Sequence, residues 1–223
     1  MTSEREHVER VTELFDEWSE NGRADGMETG HTPMARQAFD RLGVRPGQTY
    51  LDIGCGNGYT VRWAAEVDES VNGIGLDVSP GMVQLAREKS KSHPNTRYIH
   101  APFPLPILKA KSFDAVFSME VFYYFKELQW ALVSTIRLLK PGGLFACVVD
   151  FYEENEASAG WPENIGIPLN RLSEEGWRTA MMDVGFEIVD QTRLHAPVIE
   201  GEEADWRHIE GSLLTLVRRP VDS

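Results

Sequence analysis

A chain of 223 residues, 42% hydrophobic and 26% charged, has the length for one α/β domain with a full core and is short for two, so a single domain over 1–223 is expected. No apolar run approaches a bilayer span, and the opening MTSEREHVERVTE mixes acids with bases where a secretory leader has a basic end and an apolar core; a cytoplasmic protein without a membrane span is expected. A formal charge of −13 and a pI near 4.9 argue against a partner gripped through its phosphates, so no nucleic acid is expected and a small molecule is favoured.

Residues 4–20 place Val8, Val11, Leu14, Phe15 and Trp18 at helical spacing. The glycines of NGRADGMETGH are predicted to break that helix before a second one from Pro33 to Leu42, leaving much of 15–31 without periodic structure. A short strand, 49–53, then runs into Gly54, Gly56 and Gly58, followed by a helix over 58–67. Glycine tolerates positive φ, and the free N–H groups at such a helix start can hold an anionic or polar group closely. A second strand, 71–77, ends in Asp77, about twenty residues after the turn, where an acid can accept both hydroxyls of a ribose. Ser79-Pro80 opens a helix over 80–91 and puts Met82 one turn from Asp77.

Two ligand classes fit a glycine turn followed by an acid. A dinucleotide prefers G-x-G-x-x-G, but here the third glycine comes one residue early and Tyr59 holds its place, which counts against NAD. Residues 51–58, LDIGCGNG, and 73–80, GIGLDVSP, resemble the first two motifs of the class I S-adenosylmethionine-dependent methyltransferases, and the resemblance continues to about residue 150. It implies S-adenosyl-L-methionine as cofactor and a doubly wound, Rossmann-like α/β sheet of seven strands, order 3-2-1-4-5-7-6. The last strand would be antiparallel, with helices on both faces. It further implies a cofactor site drawn from Asp52, Gly54, Cys55, Gly56, Asn57, Gly58, Asp77, Val78, Met82, Phe103 and Met119. In similar proteins the helices before the first strand fold over the ligands, so 1–45 is expected as a lid segment with Trp18, Arg23, Met27 and His31 as candidates.

A third strand is predicted over 96–100. Beyond it the family pattern places an acid beside the adenine, and counting back from Leu105-Pro106 puts Ala101 there instead. The adenine edge then falls to backbone near Pro102 and Phe103, with Phe103 as an apolar wall. Strand four, 113–119, resembles the family's fourth motif, whose end lies against the methionine part of the cofactor. Glu120 and the aromatic run Phe122 to Phe125 follow, where parallel sheets bind ligands. Tyr123, Tyr124, His31 and Glu120 are candidate bases, and no arrangement singles one out.

A helix over 127–139 is expected to stop in LLKPGG before strand five, 144–150. Residues 151–172 form a long irregular insertion, which with Phe151, Tyr152 and Trp161 favours a lid. A helix from Ser173 and two strands, 185–195 and 208–218, close the chain, by resemblance as an antiparallel pair at the sheet edge. The six histidines show no metal spacing, Glu153-Glu154 near Asp150 reads as a solvated loop, and no metal is expected. Cys55 and Cys147 form neither a disulfide framework nor a zinc site. The expected function is methyl transfer to a small-molecule acceptor, partly apolar or aromatic, by in-line displacement at the sulfonium methyl. A non-catalytic S-adenosylmethionine-binding sensor or scaffold, or an NAD-dependent oxidoreductase, are the alternatives.

Overall fold

The computed structural model describes residues 3–198, 201 and 203–221. Two helices, α1 (Glu4–Glu20) and α2 (Arg23–Leu42), precede β1 (Thr49–Ile53), α3 (Tyr59–Val67), β2 (Asn72–Asp77), α4 (Pro80–Lys89), β3 (Thr96–His100) and β4 (Phe113–Met119). The chain continues through α5 (Leu128–Leu138), β5 (Leu139–Val149), the short α6 (Trp161–Ile165), α7 (Glu174–Asp183), β6 (Glu187–Leu194), α8 (Trp206–Ile209) and β7 (Ser212–Arg218). The sheet order is β3-β2-β1-β4-β5-β7-β6, with β7 antiparallel to both neighbours and the first five strands parallel, as the family resemblance implied.

Both faces of the sheet are covered, so its central strands are apolar on both sides. Leu51, Ile53, Val116, Phe145 and Trp177 pack on one face, and Tyr50, Phe117, Phe39 and Leu214 on the other. Leu51 pairs with Ile74 of β2 and Val116 of β4, which brings the carboxyl ends of three strands to one crevice. That crevice is where open parallel sheets take ligands.

Four local expectations are corrected. The N-terminal segment is helical almost throughout, because only Gly22, at φ 80°, breaks it, while Gly26, Gly30 and Pro33 lie inside α2. Long-range ion pairs hold that helix: Lys89 of α4 bridges to Asp25 and Glu28. Strand β5 starts at Leu139, before the predicted helix stop has ended, and the step between Phe113 and Ala115 in its register absorbs the KPGG kink. Residues 208–211 are the end of α8 and a turn, with β7 starting at Ser212. The insertion is not an irregular flap: Phe151 and Tyr152 are fully buried in the main core, Tyr152 bridges to Leu172, and α6 lies within it. Among the described residues no helix is long and apolar enough to cross a membrane.

Candidate functional site

At the carboxyl ends of β1, β2 and β4 the chain encloses a cavity of about 1120 Å³, counted to its open mouth. The glycine turn forms one wall, and its glycines have different reasons for being there. A Cβ on Gly54 would stand 2.2 Å from Val121 Cγ2, so the loop after β4 closes on bare backbone. A Cβ on Gly56, at φ 51°, would meet nothing within 4 Å, because this residue faces the cavity. A Cβ on Gly58 would strike the Tyr98 ring at 2.7 Å; Gly58 starts α3 and packs away from the cavity.

Asp77 ends β2 and is tied to both neighbouring turns. Its Oδ2 accepts the Gly56 N–H at 2.8 Å and its Oδ1 the Ser79 N–H at 2.9 Å. Burial raises its pKa to about 6 against the pull of those two N–H groups. Asp52, buried nearby on β1, accepts from the Thr60 hydroxyl through Oδ2, while its Oδ1 has no partner among the described residues. Burial carries its pKa to about 7, opposed by Thr60 and assisted by the like charge of Asp77.

Every residue expected in the cofactor site except Gly58 lines this cavity: Asp52, Gly54, Cys55, Gly56, Asn57, Asp77, Val78, Met82, Phe103 and Met119. Ala101 and Pro102 line it too, with the Ala101 N–H bound to the Asp77 carbonyl at 3.0 Å. Ser79 caps α4 by accepting the Met82 N–H at 3.0 Å, which fixes Met82 in the wall.

The first two helices form the roof. His7 of α1 donates Nε2–H to the Tyr124 carbonyl at 2.6 Å. Asp16 of α1 accepts the Ser79 hydroxyl at 2.5 Å and the Gly81 N–H at 3.1 Å. Glu28 of α2 accepts from Asn57 Nδ2 at 2.7 Å and Arg62 at 3.1 Å. Sequence reading missed His7, Asp16 and Glu28, since each acts on a partner remote in the chain and no local spacing marks it.

A second cavity adjoins the first, sharing Phe15, Met27, His31, Glu120 and Tyr124 as a common wall. Its other walls are aromatic and cationic. Trp161 stacks on Phe151 at 6.1 Å and meets Trp206 edge-on, while Arg23 lies 3.8 Å above the Trp18 ring. Of the four successive aromatics, Tyr123 and Tyr124 line this second cavity, Phe125 lines the first, and Phe122 is buried in the core.

Glu120 stands at the junction with a left-handed backbone, φ 61°, unusual for a residue with a side chain. Its Oε2 accepts the Tyr123 hydroxyl at 2.7 Å and its Oε1 the Asp150 N–H. Burial pushes both Glu120 and Asp150 above the usual carboxylate range, and the charge of Asp150 adds to the shift on Glu120. The Tyr123 and Tyr124 phenols are pushed up, first by burial and then by Glu120, so they keep their protons and act as donors. Burial, then Arg207, lowers His31 to about 4, which leaves its imidazole neutral at physiological pH. The proton acceptors at the junction are therefore His31 and the acid pair.

Residues 51–147 match the methyltransferase domain family. The chain is 31% identical over 184 residues to malonyl-[acyl-carrier protein] O-methyltransferase of Serratia marcescens, covering 77% of this chain and 68% of that one. Against demethylmenaquinone methyltransferase of Tropheryma whipplei (strain Twist) it is 37% identical over 110 residues, 48% of this chain. That alignment spans 44% of the relative's length, so the chain covers less than half of it. A chain from the complex of the Haloferax volcanii Trm112 methyltransferase activator has a TM-score of 0.84 at 35% identity, covering 92% of this chain and 97% of that one.

Proposed function

The chain belongs to the class I S-adenosylmethionine-dependent methyltransferases, and from that membership we propose that it transfers the methyl group of S-adenosyl-L-methionine to a small-molecule acceptor. The observation that carries this reading is the pair of adjoining cavities, one built on the glycine turn and Asp77, the other lined by aromatic side chains. When bound, the cofactor supplies an electrophilic methyl on a sulfonium, and the electron pair of the broken S–CH3 bond returns to sulfur.

The residues of the first cavity fit that group. Asp77 offers lone pairs to two ribose hydroxyls while its backbone bonds keep it in place. Val78, Met82, Ala101 and Phe103 make a mainly apolar slot suited to a purine, without the acid that the family pattern places at Ala101. Gly56 leaves the space that a side chain would fill. Asp52 Oδ1 and Asn57 Oδ1, without partners among the described residues, are buried acceptors that suit an ammonium group. The chain's remaining work is to align the acceptor with the S–CH3 bond and keep water out, which the roof of α1 and α2 supports.

The acceptor we propose is small and at least partly apolar or aromatic, held among Trp18, Tyr123, Tyr124, Trp161 and Trp206. A net charge of −13 weighs against a polyanion. The Haloferax relative comes from a complex with an activator, and a Trm112-type activator is a proposed partner for this chain as well, testable by co-purification of the two.

Calorimetric titration with S-adenosylhomocysteine and with NAD is the first test. Binding of S-adenosylhomocysteine alone is expected, and binding of NAD alone would refute the assignment. Labelled methyl transfer to a mixed panel of phenols, amines, quinols and carboxylic acids then separates an enzyme from a binding protein.

A further inference from the structure

Glu120 and Asp150 lie just beyond the carboxyl ends of β4 and β5, and His31 reaches them from α2, so the three meet only in the folded chain. One ligand atom from each lies within 4.8 Å of the other two. That is close to the span of two donors across one ion at about 2.2 Å each. All three line the second cavity. Asp150 is 1% exposed, and among the described residues its Oδ1 has no partner at hydrogen-bond distance, the Ser212 hydroxyl being the group that lies nearest in effect.

We propose that His31, Glu120 and Asp150 hold a divalent cation of the Mn2+ or Mg2+ class at the junction of the two cavities. Two carboxylates and one imidazole, with no thiol, form a donor set for a hard ion that keeps open positions for water or a substrate oxygen. The left-handed backbone of Glu120 aims one carboxylate toward its neighbour, and Tyr123 and the Asp150 N–H fix it there. The two acids meet within the span of one ion, and the charge of Arg207 acts on both of them. Arg207 lines the same cavity, but its guanidinium pairs with Asp205 at 2.6 Å and lies over the Trp206 ring. Among the described residues it forms no ion pair with either acid. Resting on the reading of the second cavity as the acceptor's chamber, the ion would take an oxygen of the acceptor as ligand. The acceptor would then be an oxygen-bearing molecule, such as an enol, a phenol or a carboxylate.

The test is titration of the purified full chain with Mn2+, followed by electron paramagnetic resonance, with neither cofactor nor acceptor present. One Mn2+ per chain is expected, with affinity at least about tenfold weaker in Asp150→Asn and in His31→Ala. His31→Ala changes a side chain on a helix, so it keeps the test sound where the buried Asp150→Asn fails to fold. S-adenosylhomocysteine titration of the same variants reports separately on the cofactor cavity. No Mn2+ bound at millimolar concentration, or binding unchanged in folded variants, would overturn the site whatever becomes of the methyltransferase reading.

Discussion

The carboxylate of Asp77 accepts the amide proton of Gly56 at 2.8 Å. The acid at the end of β2 therefore also shapes the glycine turn at the end of β1, and a substitution at either residue disturbs a shared wall of the cavity. Asp77→Ala is expected to weaken S-adenosylhomocysteine binding by about 1.5–3 kcal/mol, the worth of hydrogen bonds to a charged group. Calorimetry on the folded variant checks it, and unchanged affinity removes Asp77 from the proposed site.

Gly56→Val isolates the ligand's space from the protein's. Nothing lies within 4 Å of a Cβ at that position, so the added side chain starts into open space, though its positive φ carries strain of about 1–3 kcal/mol. The expected result is a folded chain with a lowered Tm and no measurable S-adenosylhomocysteine binding. Normal binding would mean that the ligand does not approach this turn.

Glycine placement also marks how far the sequence could be read. The turn, the acid and the strand order follow local rules or family spacing, and most of the set from Asp52 to Met119 reached one cavity because it lies at the ends of β1, β2 and β4, with Met82 on α4 and Phe103 after β3. Gly58 follows the same spacing but serves packing against Tyr98, a contact between α3 and β3 that no local pattern carries. The helical run of α2 through Gly26, Gly30 and Pro33 depends on Lys89, Arg62 and Asn57, all supplied by later elements. The meeting of His31 with Glu120 and Asp150 is long-range in the same way.

The buried acids give the unliganded protein a pH dependence of definite sign. Folded pKa values of about 6 for Asp77 and about 7 for Asp52 lie above the ordinary value near 4, so folding favours their protonated forms. The stability they contribute is fully present below about pH 4 and is lost as pH rises through 6 to 7. Chemical unfolding at pH 5 and pH 7.5 should therefore show a smaller fall in stability for Asp77→Asn than for the native chain. Ribose hydroxyls donating to Asp77 favour its charged form, so S-adenosylhomocysteine should bind with proton release near pH 6 and less tightly below it. Proton uptake on binding, measured by calorimetry in two buffers, would contradict this assignment.

The roof is fastened at its polar contacts, His7 to Tyr124, Asp16 to Ser79 and Gly81, and Glu28 to Asn57 and Arg62. These join α1 and α2 to turns that line the cofactor cavity, so ligand binding and roof closure should be coupled. Hydrogen exchange in 4–31 is expected to slow when S-adenosylhomocysteine is added, while β4 and β5 stay unchanged. Asp16→Ala should raise exchange in α1 selectively. Equal rates with and without ligand would make the helices a fixed part of the wall.

Trp161 tests the insertion's role, because the structure separates it from its neighbours. Phe151 and Tyr152 are core residues, whereas Trp161 is half-buried, stacks on Phe151 at 6.1 Å and faces the second cavity. Trp161→Ala removes two ring contacts, to Phe151 and Trp206, each worth about 0.5–1.5 kcal/mol beyond its buried area, so a modest fall in Tm is expected. Cofactor affinity should stay within about twofold, since Trp161 does not line the first cavity. With an acceptor identified from the panel, its KM should rise or kcat fall, because the substitution opens the acceptor's chamber to water. A fall of more than about 3 kcal/mol in stability with unchanged kinetics would instead make Trp161 part of the core and place the acceptor elsewhere.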